Sequence, residues 1–94
     1  MLTYRAMYKY LDDGVHAEVL DFPGAISCGK DLDQARRLLR SALVDMAETS
    51  LARGEALPKP NPAATDPESD LEEPIHLLHT AATRVAEVAQ DANA

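Results

Sequence analysis

The chain has 94 residues, a formal net charge of −7, one cysteine and no tryptophan. That length supports one domain around a single modest core and excludes a deep cleft between two domains. The lone Cys28 excludes an internal disulfide and a cysteine-based metal cluster, and the acidic balance argues against a broad nucleic-acid surface, which needs clustered positive charge.

In chain order, residues 2–10 read as a strand. Leu2, Tyr4, Ala6, Tyr8 and Tyr10 fall on one face, and Thr3, Arg5, Met7 and Lys9 on the other. Asp12-Asp13-Gly14 is a hairpin turn, and Val15, Ala17 and Val19 then alternate with His16, Glu18 and Leu20 in a second strand. Pro23 cannot donate to a strand ladder, so this strand ends near Asp21. Ala25 to Cys28 is a short third strand.

Asp31 is placed as a helix N-cap, with Gln34 three residues on as in a capping box. Leu32, Ala35, Leu38, Leu39, Ala42, Leu43, Met46 and Ala47 recur at helical spacing and form one wide apolar stripe. Gly54 sits where a helix-ending glycine belongs, with Arg53 before it, so the helix is predicted over about Leu32 to Arg53. Five of the six prolines then lie between Pro58 and Pro74. Leu57-Pro-Lys-Pro-Asn-Pro62 cannot sustain a helix or a central strand, and Ala63 to Glu73 is acidic, so residues 61–73 read as a linker. Ile75 to His79 reads as a fourth, edge strand, and Ala82, Val85, Ala86 and Ala89 suit a short helix within 81–90. The competing reading merges 74–90 into one helix, and a tail without fixed structure is the third option. The expected fold is α+β: a three- to four-stranded antiparallel sheet with one long helix packed on one face, in the order β-β-β-α-β. Residues 1–60 form its core and 74–94 the accessory segment.

The charge is uneven along this plan. Residues 1–54 carry seven Lys/Arg against eight Asp/Glu, and residues 55–94 two against eight. An acidic segment suits a basic partner, because opposite potentials speed encounter. The plainer reading is that it keeps the chain dissolved. No run approaches the roughly 18 apolar residues of a membrane span. Met1-Leu-Thr-Tyr-Arg5 has no apolar signal segment, so a cytoplasmic protein is expected.

Leu20-Asp21-Phe22-Pro23-Gly24-Ala25, then Gly29-Lys30-Asp31-Leu32-Asp33-Gln34-Ala35, then Leu57-Pro58-Lys59-Pro60 form an ordered set. With the preceding hairpin, it resembles the HicB antitoxin family of type II toxin–antitoxin pairs over residues 2–60. Such domains show a hairpin, a Pro-Asp-hydrophobic-Pro-Gly-Cys segment, a Gly-x-Thr-x-Glu-Glu-Ala helix start, a long helix and an Ile-Pro-x-Pro exit. Here Leu20 replaces the Pro, Ala25 the Cys, Asp31 the Thr and Asp33-Gln34 the Glu-Glu. Asp caps a helix as well as Thr does, so these changes leave the expected fold intact. The resemblance implies a protein that binds and occludes a small, basic, mRNA-cleaving toxin (HicA-like), without catalysis of its own. Many members append a DNA-binding module. After His79 only fifteen residues follow here, with one Arg, too few for such a module, so direct DNA binding is not expected. The alternative function is a solitary oligomeric module, regulatory or ligand-binding, without a toxin. A homo-oligomer is expected in either case, because a one-helix sheet leaves a face and an edge to cover.

Individual residues carry competing readings. Asp21, Pro23, Gly24, Gly29 and Ala35 are read as fold-defining, with contact to a partner as the functional option and catalysis by Asp21 as the sharper, weaker one. Cys28 reads as a small buried strand residue rather than a nucleophile. His16, His76 and His79 lack a third ligand nearby in sequence, so no metal and no other cofactor is expected. Arg36, Arg37 and Arg40 read as a solvated helix face, with Asp33 and Arg37 paired at i, i+4. Tyr4, Tyr8 and Tyr10 read as packing or oligomer contacts rather than a base-stacking platform. No nucleophile–base or metal constellation appears, so an enzyme is not expected.

Overall fold

The computed structural model of the chain describes residues 1–79 and 85–87. β1 (Leu2–Leu11) and β2 (Gly14–Val19) form the expected antiparallel hairpin. Its two-residue loop is Asp12-Asp13, and Gly14 already pairs with Leu11. β3 (Ile26–Gly29) adds antiparallel to β2, and α1 (Leu32–Ala52) follows. A strap, residues 53–70, then leads to β4 (Leu71–His79), which pairs antiparallel with the other side of β1. The three-residue β5 (Val85–Glu87) pairs antiparallel with β4, so the strand order is β3-β2-β1-β4-β5. The fold is α+β, a four-stranded antiparallel sheet with a short fifth strand and one helix on one face.

Sequence periodicity explains the core. Tyr4, Ala6 and Tyr8 of β1 and Val15, Ala17 and Val19 of β2 turn to the helix side, and Ile75 and Leu77 of β4 join them. From α1, Ala35, Leu39, Leu43 and Ala47 are buried, one every fourth residue. Leu38, placed in the apolar stripe by spacing, is instead 42% exposed. It flanks a seam narrower than the composition allows. Asp31 caps the helix as expected: its Oδ1 accepts the Gln34 N–H at 2.8 Å. Gln34 reaches back, but its Oε1 accepts from Lys30 N–H rather than from Asp31. At the other end Gly54 takes φ +74°, its N–H bonds Leu51 O and Glu55 N–H bonds Ser50 O. That pair of bonds is the Schellman arrangement.

Two expectations change at the C-terminal side. β4 begins at Leu71, four residues before the expected edge strand, so Glu72, Glu73 and Pro74 are strand residues. Pro74 fits because it lies opposite Arg5, whose own N–H and C=O turn away from β4 to Asp21 and Leu20. The short helix expected within 81–90 is replaced where it is described: Val85–Glu87 form β5 against Leu77–His79. The free edge of β4 offers hydrogen bonds that override the local helix preference of alanine and glutamate. The rest of that segment lies outside the described residues.

Candidate functional site

The segment between β2 and α1 makes one closed corner. Phe22 N–H bonds Val19 O, Ala25 N–H bonds Phe22 O, and Val19 N–H bonds Ala25 O at 2.9 Å. Phe22 is buried and meets the Tyr4 ring edge-on, with centroids 5.2 Å apart. Gly24 has φ +92°, and a Cβ there would lie 2.6 Å from Met46 Cε. Pro23 is exposed at the tip. At the far end of the corner, Gly29 touches the first turn of α1. A Cβ on Gly29 would stand 2.5 Å from the Ala35 backbone nitrogen, and Ala35 is itself fully buried. Gly29 and Ala35 therefore meet face to face and let β3 run directly under the helix start.

Asp21 has a different task. Its Oδ1 accepts the Arg5 N–H of β1 at 2.9 Å and its Oδ2 accepts the Asn61 N–H of the strap at 2.8 Å. Both oxygens are engaged in holding backbone, which argues for structure and against acid–base work. The reach is long-range, forty residues to Asn61. Tyr4 Oη adds a second tie by donating to Pro58 O at 2.7 Å. Burial, then the nearby Asp21 charge, pushes the Tyr4 phenol up to about 12.

Beside Asp21 lies a half-open groove of about 440 Å³, lined by Thr3, Tyr4, Arg5, Asp21, Asn61, Pro62 and Pro74. It sits where β2 stops pairing with β1: the ladder covers Ala6 to Leu11 and leaves Leu2 to Arg5 without a strand on that side. Arg5 stands at this groove with a 40% exposed side chain, 3.8 Å from Glu72. Glu72 is held mainly by others. Thr65 Oγ1, Asp66 N–H and Ser69 Oγ each donate to its Oε2 at 2.9 Å. These donors hold the Glu72 carboxyl below the usual carboxylate range, with Arg5 the smallest contributor.

The strap carries the acidic character. Asp70 Oδ2 accepts the Tyr10 N–H at 2.7 Å, Asp70 N–H bonds Tyr8 O, and Lys9 Nζ meets Glu68 at 3.1 Å. Asp12, Asp13, Glu55, Glu68 and Asp70 are exposed. The sheet face away from α1 is polar: His16 with Glu18 at 3.4 Å, Thr3 Oγ1 with His76 Nδ1 at 3.0 Å, and Arg5 with Glu72. Met7 is buried among these side chains, 3% exposed, although spacing assigned it to the outer face.

Several residue readings change. Cys28 is exposed, because its pairing with His16 places it on the face away from the helix. Tyr4 and Tyr8 are 2% and 1% exposed, so they pack within the chain and can serve neither base stacking nor an oligomer contact. Asp33 pairs with Arg36, at 3.9 Å, rather than with Arg37. Arg36 is no solvated residue: it makes a two-pronged pair with Glu73, at 3.0 and 2.8 Å, and stands 5.9 Å above the Tyr8 ring. Glu73 and Asn61 are the structural partners that sequence reading missed. Nothing in the spacing marks them, since their partners lie 37 and 40 residues away.

Among the described residues, no three His, Cys, Asp or Glu side chains converge as a metal ion would need, and no helix is long and apolar enough to cross a membrane. No family model matches the chain, and no curated protein matches it.

Proposed function

We propose that this protein is an antitoxin-like inhibitor that binds and occludes a small basic ribonuclease in the cytoplasm, as its resemblance to the HicB family implies. The observation that supports this most is the ordered residue set from Leu20 to Ala35. Gly29 in it has no room for a Cβ and Gly24 takes φ +92°, which gives that pattern a physical cause. The exposed acids of the hairpin turn and strap supply a surface that attracts a basic protein. The role is non-catalytic, with inhibition by covering the partner's active face. Self-association through the free edge of β3, where Ile26 and Cys28 are exposed, is part of the proposal.

The test is affinity purification of the tagged chain from its own host, with mass spectrometry, followed by co-expression. A stoichiometric basic protein of single-domain size, toxic alone and harmless with this chain, supports the reading. Recovery of the chain without such a protein sinks it. The groove beside Asp21 favours a second reading, a solitary oligomeric module that takes a ligand. Its volume lies in the roughly 300–1,000 Å³ range of ligand sites.

A further inference from the structure

The groove contains a feature beyond its shape. Arg5 directs its N–H to Asp21 and its C=O to the Leu20 N–H, so both groups face away from β4. Backbone direction alternates along a strand, and Thr3, two residues earlier, faces the same way. β2 has already left the sheet by that point, since its ladder stops at Ala6. Among the described residues nothing bonds the Thr3 N–H or C=O. One donor and one acceptor therefore stand open in line, spaced as one residue of a neighbouring strand would use them, on a wall of the groove.

We propose that this groove binds a short extended peptide segment, which continues the line of β2 and pairs with Thr3 through its backbone. The pairing follows the general mode of strand addition to an open sheet edge. The segment is short because Asp21 and Leu20 already occupy Arg5 and end the open stretch. The residue opposite Thr3 places its side chain on the same sheet face as Thr3 and Arg5. An acidic side chain fits there. Arg5 can turn from its 3.8 Å pair with Glu72 to meet it, because Glu72 keeps three donors at 2.9 Å without the guanidinium. Apolar neighbours suit the walls given by Pro62 and Pro74. This proposal is independent of the antitoxin reading and gives the ligand of the second reading a chemistry.

The probe is the blocked tripeptide acetyl-Val-Glu-Val-amide, titrated into the full isotope-labelled chain and followed by amide NMR and hydrogen exchange. Expected are shifts centred on Thr3, Arg5 and Asn61, and slower exchange of the Thr3 amide. N-methylation of the central glutamate removes the donor to Thr3 C=O and should abolish binding. Replacing that glutamate by glutamine, or Arg5→Gln in the protein, should weaken binding roughly two- to fivefold, the worth of one exposed charge pair. No shift at millimolar peptide overturns the proposal. So do equal binding of the N-methylated peptide and shifts centred on Ile26 to Gly29 at the other sheet edge. If sodium benzoate moves the same amides and the tripeptide does not, the peptide proposal falls while the ligand-module reading stands.

Discussion

A Cβ at position 29 would fall within 2.5 Å of a backbone nitrogen, which cannot swing aside as a side-chain end can. Gly29→Ala must therefore push β3 away from the start of α1. Overpacking of this kind costs on the order of 1–3 kcal/mol, to be read as a lower urea midpoint with an unchanged slope. At Gly24 the obstructing atom is the flexible Met46 terminus, so the strain there comes from φ +92° more than from contact. Tyr4 carries a pH dependence whose sign is set by its raised pKa. Folded, the phenol titrates at about 12 against an ordinary 10.0. The folded chain holds the proton more tightly, so this contribution is complete below pH 10 and is lost as pH rises towards 12. Tyr4→Phe removes the bond to Pro58 O, at a cost of about 1 kcal/mol near neutral pH. The gap between wild type and variant should shrink across that alkaline window. A gap that stays constant with pH would show that the hydroxyl is not held as described.

At the scale of elements, the helix is oriented by four buried positions, and Leu39 is the central large one. Leu39→Asp puts an unpaired charge into the core, a cost that exceeds what a domain this small can absorb. The expected outcome is an unfolded chain by circular dichroism. A soluble variant with a cooperative melt would refute the orientation of α1. The strap offers a second, gentler test. Glu72 titrates below its ordinary value of 4.5 because strap donors favour its charged form. Its contribution is complete above that ordinary value and vanishes as pH falls through the folded-state value. Glu72→Gln should therefore be less stable than wild type at neutral pH, and the two unfolding midpoints should converge in strong acid. Persistent separation at low pH would mean that the strap is held by something other than this carboxylate.

For the whole molecule, the polar sheet face changes where self-association can occur. Arg5, His16, Glu18, Glu72 and His76 pair with one another or with Thr3 across it, so this face lacks the continuous apolar area a stable interface uses. The free edge of β3 remains, with Ile26 51% exposed. Sedimentation of the purified chain should show a dimer or larger species. Ile26→Lys should return it to monomer, since an edge lysine resists strand pairing. A monomeric wild type would remove self-association from the proposed function.

Sequence reading reached the hairpin, the capped helix and the α+β order because each rests on local signals. A period of two, a period of 3.6, an Asp-x-x-Gln cap and a closing glycine all act within a few residues. It also singled out the corner glycines, because few roles other than a positive φ, as at Gly24, or a close approach, as at Gly29, need glycine beside a strand end. It did not reach the partners of Asp21, the Arg36–Glu73 pair, the burial of Met7 or the exposure of Cys28. Those depend on which strand lies beside which, and β4 joins β1 across the whole chain, pairing Leu2 with Leu77. The same register decides the groove, which exists only because β2 stops at Ala6 while β1 and β4 run on. Local periodicity thus determined which elements form and which faces are apolar. Tertiary pairing alone decided which backbone groups are left open, because an unpaired N–H is defined by the neighbour that is not there.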